Sequence, residues 1–270
     1  MATATTELKQ HEVVSHQDWI KARKNFLARE KEFTRQRDEL SRMRRELPWE
    51  KVEKHYEFHS TNGKLTLGDL FAGKSQLVMY HFMLGPGWVE GCKSCSYLAD
   101  HFDGMTTHLA NRDVNFLVVS HAPIAEIEAF KRRMGWQFRW VSSFDSDFNF
   151  DYHVSFTPEQ MGGEIEYNYG RTKSPSQEMP GMSVFAKGPD GEIYHTYSMY
   201  ARGLDILVGT YNVLDLVPKG RDEAGLKHTM AWVRHHDKYS EGYFVDPNAG
   251  WEHPKVATGG HSCCSGEHSS

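Results

Sequence analysis

The chain has 270 residues and a formal net charge of −5, with 31 Lys and Arg against 36 Asp and Glu, so no overall field draws it to nucleic acid or to an anionic membrane. At 39% hydrophobic and 13% aromatic it can fill a sizeable core, yet no apolar stretch approaches the ~20 residues of a membrane span and the first residues lack the basic-then-apolar pattern of a signal peptide. Four cysteines are too few for a disulfide scaffold, which makes a reducing cytoplasm the expected setting, one where paired cysteines are more often reactive than structural.

In chain order, residues 15–47 read as one long helix with Ser15 as N-cap and Asp18 in the first turn. Trp19, Phe26, Phe33, Leu40 and Leu47 recur at a strict seven-residue spacing, while Arg29 and Gln36 interrupt the second row that a full coiled coil requires. The pattern predicts an arm that packs on its own body or on a second copy, and a homodimer through this helix is one expectation. Ten Lys and Arg against four Asp and Glu in residues 21–45 read as a solvated helix face. Pro48 ends the helix.

Residues 56–59 read as a short strand, Asn62-Gly63 as a hairpin turn and residues 65–71 as a short turn or helix. Residues 77–84 form an apolar, buried strand stopped by Gly85-Pro86-Gly87. Cys92 and Cys95 follow, and residues 96–109 read as a helix. Two cysteines separated by two residues, between a core strand and a helix start, suggest a dithiol redox centre. The helix N-terminus and Lys93 both favour the thiolate, the nucleophile of disulfide exchange. Cys95, one turn further on, is placed to resolve a mixed disulfide formed at Cys92.

Residues 114–120 are a second buried strand, 123–134 a helix stopped by Gly135, and 140–143 a third strand. Strand–helix–strand–helix order implies a sheet with parallel members and helices on its faces. Asp145, Asp147, Asn149 and Asp151 alternate as in half of a calcium loop, but Phe150 and Phe156 occupy the positions where Gly and Glu are needed. Residues 182–187 and 192–200 make a hairpin around Pro189-Asp190-Gly191, and 204–217 read as an amphipathic helix ended by Pro218. The polar tail holds adjacent Cys263 and Cys264 with His261 and His268. These soft and imidazole ligands suit Cu(I) or Zn(II), although the spacing is not that of a tetrahedral zinc site. A tail without metal, expected to be disordered, or one that exchanges electrons with Cys92 and Cys95, are the other readings.

Several stretches together resemble one family: Gly91-Cys92-Lys93-Ser94-Cys95-Ser96, Phe102-Asp103-Gly104, Arg133-Met134-Gly135-Trp136, Ser146-Asp147-Phe148-Asn149, His195-Thr196-Tyr197-Ser198, Tyr200-Ala201-Arg202-Gly203 and Trp232-Val233-Arg234-His235-His236-Asp237. It is the thioredoxin-like family usually described as predicted dithiol–disulfide oxidoreductases, and the resemblance spans roughly residues 10–245. It implies an α/β fold, a thioredoxin-like three-layer α/β/α sandwich with a mixed sheet. Residues 1–47 would be a helical arm, 48–217 the thioredoxin-like domain and 218–270 a C-terminal extension. Trp88, Met182, Tyr200 and Arg202 are the residues expected to contact substrate. Three departures from working thioredoxins stand out. Gly91 rather than Trp precedes the first cysteine, Lys93-Ser94 rather than Gly-Pro lies between the two, and Pro180 lies two residues before the position expected of the groove proline. The peroxidatic pattern Pro-x-x-x-Thr-x-x-Cys is not met either, since Pro86 is six residues before Cys92 and Val89 stands at the Thr position.

The leading expectation is a thiol–disulfide oxidoreductase needing no organic cofactor, with a thiol or disulfide substrate or a reductant protein as partner and neither nucleic acid nor membrane. The alternatives are a module that binds or handles Cu or Zn through Cys92 and Cys95, with the tail cysteines or His81, and a thiol peroxidase that passes through a sulfenic acid. His235, His236 and Asp237 read as structural residues.

Overall fold

The computed structural model describes residues 7–240 and 245–256. Helix α1 (His16–Arg45) starts at Ser15, whose hydroxyl accepts from the Asp18 amide at 3.2 Å, and ends on Arg42, Arg44 and Arg45, which complement the helix dipole. Ion pairs such as Arg35–Glu32 (2.6 Å) and Arg42–Glu39 (2.7 Å) run along it, and none of its residues is buried. Trp19, Phe26, Phe33 and Leu40 are 53, 61, 66 and 56% exposed. The helix therefore stands on its own length, cap and charge pattern rather than on a packed face. Arg44 lies 4.9 Å over the Tyr197 ring and ties its end to the body.

The body begins with β1 (Glu50–Lys51), the hairpin β2 (Glu57–Ser60) and β3 (Gly63–Thr66), and the single-turn helix α2 (Leu67–Leu70). Then come β4 (Gln76–His81), α3 (Lys93–Ala99), α4 (Asp103–Asn111), β5 (Val114–Ser120), α5 (Ile124–Met134), β6 (Trp140–Ser142) and α6 (Phe148–Asp151). A small ribbon of β7 (Ile165–Tyr167) and β8 (Gly170–Thr172) precedes β9 (Gly181–Lys187), β10 (Ile193–Tyr200), a 3₁₀ segment (Ala201–Leu207) and α7 (Gly209–Leu214). The main sheet has the order β1-β10-β9-β4-β5-β6-β2-β3. Strands β4, β5 and β6 are parallel neighbours, and β9 and β10 return antiparallel on the other side of β4.

Residues on the central strands alternate between two cores, as a strand buried on both faces must. Tyr80, Phe116 and Val118 face one side with Phe102, Ile127, Phe130 and Tyr211, so α3, α4, α5 and α7 cover that face. Leu77, Met79, Leu117 and Val119 face the other with Phe58, Leu70 and Phe148, beneath α2 and α6. Each such side chain contributes on the order of 1.5–3 kcal/mol by leaving water. The two successive parallel crossovers, β4 to β5 and β5 to β6, step in one direction, and connections of one hand then place their helices on one face, as the shared core shows. Parallel β4–β5, antiparallel β9–β10 and helices on both faces make this a thioredoxin-like three-layer α/β/α sandwich. Among the described residues no helix is long and apolar enough to cross a membrane.

Two helices differ from expectation. The predicted helix over 96–109 is two, α3 and α4, broken by a turn over residues 100–102 in which Phe102 enters the core, while Asp103, the first residue of α4, accepts from the Gln137 and Phe138 amides at 3.0 and 2.6 Å. The predicted helix over 204–217 divides at Val208 into the 3₁₀ segment and α7, with Val208 itself buried against the dithiol face.

Candidate functional site

The chain leaves β4 at His81, runs buried through Phe82, Met83 and Leu84, and turns at Gly85-Pro86-Gly87. It re-enters the body at Cys92, whose amide donates to the Met83 carbonyl at 3.0 Å. Cys92 is the N-cap of α3 and Cys95 lies one turn inside. Gly91 explains the first departure from the thioredoxin motif. A Cβ there would lie 2.4 Å from the Phe82 ring and 2.8 Å from the Phe130 ring, so no side chain fits before Cys92. His235, buried against Phe130, donates through Nε2 to the Gly91 carbonyl at 2.9 Å and holds the approach from the other side.

Both sulfurs are nearly covered, Cys92 at 4% and Cys95 at 2% exposure, and both are free thiols. Their acidities diverge. The Cys95 thiol donates to the Cys92 sulfur, the amides of Cys95 and Ser94 point at it, and the Lys93 ammonium adds charge. Against the cost of burial, these hold Cys92 down to about 7. Cys95 moves the other way, raised by burial and by the charge growing on Cys92, although the Tyr80 hydroxyl donates to it. Deprotonation therefore falls on Cys92, and Cys95 keeps its proton until the first bond is made.

A cleft of about 240 Å³ opens onto both sulfurs. Met83, Leu98, Met179, Pro180, Leu204 and Met230 give it an apolar wall. His228 also lines it, with its Nε2 buried and without a partner among the described residues; burial first, then the nearby Lys93 charge, lowers its pKa and keeps the ring neutral at pH 7. A second cleft of about 230 Å³ also reaches Cys92, between Lys93, His235 and the segment Trp251–Lys255. Trp251 lines both. The C-terminal segment is pinned there by the Val89 amide, which donates to the Lys255 carbonyl at 2.8 Å, and by Glu252 against Lys93 at 3.5 Å.

Cys92, Cys95 and Lys93 thus come together. Trp88 lies close in the chain but is buried in the turn, its ring against Gly85, and it bridges to Val256. Met182 is buried within β9, and the cleft edge is formed instead by Met179 and Pro180 just before that strand. Tyr200 donates to the Tyr152 carbonyl at 3.1 Å and lines a different cavity. Arg202 is exposed and pairs with Asp205 at 3.1 Å. His81 sits on the other face of the sheet, bonded to Ser183 at 2.9 Å and stacked on Phe148. His236 pairs with Asp100 at 2.7 Å, and Asp237 with Arg133 at 2.9 Å. Cys263, Cys264 and His261 lie outside the described residues, as does the expected disordered tail. Among the described residues no cluster of three or more His, Cys, Asp or Glu could hold a metal ion. Sequence reasoning missed Tyr80, His228 and Trp251. Tyr80 was readable from the period of two along β4, while His228 and Trp251 carry no local signal.

Fold and site together define a thioredoxin-like protein with a Cys-x-x-Cys pair at the mouth of its first crossover helix. The chain belongs to the family described as "Bacterial protein of unknown function (DUF899)", which matches residues 8–239. No curated protein matches it by sequence. Among solved structures it is similar to a cysteine mutant of PrxQ from Xylella fastidiosa, at 14% identity over 61% of this chain and 94% of that one (TM-score 0.39). It is also similar to the peroxidoxin BcpB from Mycobacterium tuberculosis, at 13% identity over 62% and 97% (TM-score 0.37). A cysteine mutant of peroxiredoxin Q from Xanthomonas campestris gives 16% identity over 62% and 98% (TM-score 0.38).

Proposed function

We propose that this chain is a thiol–disulfide oxidoreductase in which Cys92 attacks and Cys95 resolves. The observation that carries the reading is the opposite acidity of two sulfurs sharing one apolar cleft. The Cys92 thiolate attacks a substrate disulfide, an S–S bond forms to Cys92, and the departing sulfur takes the electron pair and a proton. With its negative charge spent, Cys92 no longer holds up the pKa of Cys95. Cys95 then loses its proton, attacks Cys92, and releases the second substrate thiol. Lys93 and the first amides of α3 stabilise the thiolate, and no organic cofactor enters. The partner is a thiol or disulfide substrate small or apolar enough for the cleft, or a reductant protein presenting an apolar loop. The chemistry suits a reducing cytoplasm.

The test is equilibration in glutathione buffers of graded potential, with the Cys92–Cys95 bond read by differential alkylation and mass spectrometry. A reversible two-electron transition is expected, and Cys95→Ser should accumulate a mixed disulfide at Cys92. If the pair never bridges at any potential, the reading is wrong.

His228 favours one second reading. Its imidazole nitrogen, without a partner among the described residues, lines the same cleft as two thiols and three thioethers, ligand types that suit Cu(I) better than Zn(II), although the three His and Cys side chains are not gathered into a metal-holding cluster as they stand. Stoichiometric metal lost in both Cys92→Ser and His228→Gln would support it. A thiol peroxidase would use the same thiolate and pass through a sulfenic acid condensing with Cys95; peroxide consumption by Cys95→Ser without mixed-disulfide accumulation separates it. The exposed seven-residue stripe of α1 is the surface for a homodimer, tested by sedimentation of the full chain against a Phe26→Glu/Phe33→Glu variant.

A further inference from the structure

The cleft over Cys92 and Cys95 is small, and two of its walls are tied to each other. At about 240 Å³ it has room for roughly eight water molecules, less than the roughly 300–1,000 Å³ that a drug-sized ligand fills. One wall is Met179-Pro180, just before β9, and another is Ala201 and Leu204, just after β10. A single hydroxyl joins them. Tyr167 on β7 donates to the Pro180 carbonyl at 2.7 Å and accepts from the Ala201 amide at 3.0 Å. The Tyr167 ring packs among Val154, Phe156, Ile165 and Tyr200, which holds the clasp in place. Ala201 keeps a left-handed backbone, φ 47°, a conformation a non-glycine residue retains only where its surroundings enforce it.

The main chain beside the cleft is engaged as well. The Met179 amide donates to the Val154 carbonyl at 2.8 Å, the Gln177 carbonyl accepts from the Phe156 amide at 2.8 Å, and Ser155 and Glu178 form an antiparallel bridge. Pro175 and Pro180, which also line the cleft, have no N–H to give. An extended polypeptide binds by adding main-chain hydrogen bonds to a free edge, and this edge is already paired with the chain's own residues 154–156. Charge finds no partner there either. Asp205, the one acidic or basic side chain lining the cleft among the described residues, pairs with Arg202 and Arg221 at 3.1 and 3.0 Å. An ionised group entering the cleft would lose water without gaining a counter-ion.

We propose that the dithiol acts on a small, uncharged, apolar organic disulfide rather than on a disulfide within a polypeptide, and that Tyr167 is the positioning residue that sets this limit. This rests on the dithiol reading above and deepens it by naming the substrate class. The Cys92 thiolate attacks one sulfur of the small disulfide. The S–S bond to Cys92 forms, the substrate's own S–S bond breaks, and the first half leaves with the electron pair and takes a proton. Cys95 gives up its proton and attacks Cys92, and the second half leaves as a thiol. Two electrons and two protons have moved from the dithiol to the substrate, with nothing else consumed.

The experiment mixes the reduced full chain, freed of reductant, with three disulfides in single turnover: neutral dipyridyl disulfide, the dicarboxylate dithiobis(nitrobenzoate), and insulin. Formation of the Cys92–Cys95 bond is followed by rapid alkylation and peptide mapping. Each rate is divided by that of mercaptoethanol thiolate with the same disulfide, which removes the disulfide's own reactivity. The corrected rate with dipyridyl disulfide should exceed that with the dicarboxylate by roughly tenfold and that with insulin by roughly 100-fold, since each buried group left unpaired costs about a factor of ten. Tyr167→Phe keeps the ring and removes the clasp, so the gap to insulin should shrink by roughly tenfold. A general loss of stability would slow all three reactions alike, so the ratio reports the clasp itself. Equal corrected rates for insulin and dipyridyl disulfide overturn the substrate class while leaving the dithiol reading standing. A Tyr167→Phe ratio equal to the parent's overturns the role of Tyr167. A chain that forms no Cys92–Cys95 bond with any of the three overturns the dithiol reading and this one with it.

Discussion

Two cavities on this molecule make opposite impressions. The larger, about 480 Å³, is lined by Glu50, Lys54, Asp151, Glu166 and His195 among five tyrosines, and looks equipped for chemistry. Several of its charges are already paired. Lys54 pairs with Asp147 and Asp151 at 2.8 and 2.6 Å, and His195 bonds to Ser198 at 2.7 Å. The smaller, about 240 Å³, is mostly apolar, yet it holds a lowered thiol, a raised thiol and an imidazole nitrogen with no partner among the described residues. Unspent polar groups in a dry cleft, rather than size or charge count, mark where a reaction is to be sought.

The largest expected effect tests that contrast directly. Cys92→Ser removes the thiol that makes the first attack, and should lower disulfide exchange by roughly three orders of magnitude or more, measured with a chromogenic aryl disulfide. Next, Gly91→Ala drives a methyl into the Phe82 and Phe130 rings; it should cost about 1–3 kcal/mol in urea unfolding and lower exchange by displacing Cys92. Third is pH. With the Cys92 thiol held near 7, its alkylation by iodoacetamide should rise as pH increases through about 7 and level off above it, whereas an ordinary thiol would still be climbing at pH 8.5. Lys93→Gln removes a stabilising charge, so the half-point should move upward. A half-point that stays put in this variant would show that the hydrogen bonds to Cys92 set its acidity alone.

The comparison also shows why the sequence carried part of the site and not the rest. β5 was readable to the residue and β4 was readable apart from its end, which comes at His81 rather than at 84, because burial on both faces demands an unbroken apolar run and that run continues past the last strand residue through the buried Phe82, Met83 and Leu84. Cys92, Cys95 and Lys93 were readable because strand, turn, cysteines and helix are consecutive. The wall opposite them is not consecutive. Met179 and Pro180 come from before β9, Leu204 from the 3₁₀ segment, and His228, Met230 and Trp251 from an extension whose course shows no periodicity. Reading substrate contacts from a motif's neighbours selected Trp88, Met182, Tyr200 and Arg202, but register along a strand does not say which cavity a strand end faces. The break between α3 and α4 had a different cause. Nothing in residues 100–103 stops a helix by propensity alone, and it is Phe102 and the long-range bonds of Asp103 that divide it.

The smallest expected effect is the sharpest use of the contrast. His195 belongs to a hydrogen-bonded row, with Ser198 at 2.7 Å, Ser183 at 2.9 Å from Ser198, and His81 at 2.9 Å from Ser183, crossing the sheet on the face away from the sulfurs. His81 is fully buried and its pKa is lowered to about 3, chiefly by burial, so the inner end of the row stays neutral across the working pH range and His81 has no proton to pass toward the dithiol side. His195→Gln keeps a hydrogen-bonding side chain in place, and it should change the exchange rate less than about twofold and leave the pH half-point of Cys92 where it was. A shift of that half-point by a full unit would mean that the row is coupled through β4 to Tyr80, the residue that precedes His81 and touches Cys95, and the two cavities would then be one system rather than two.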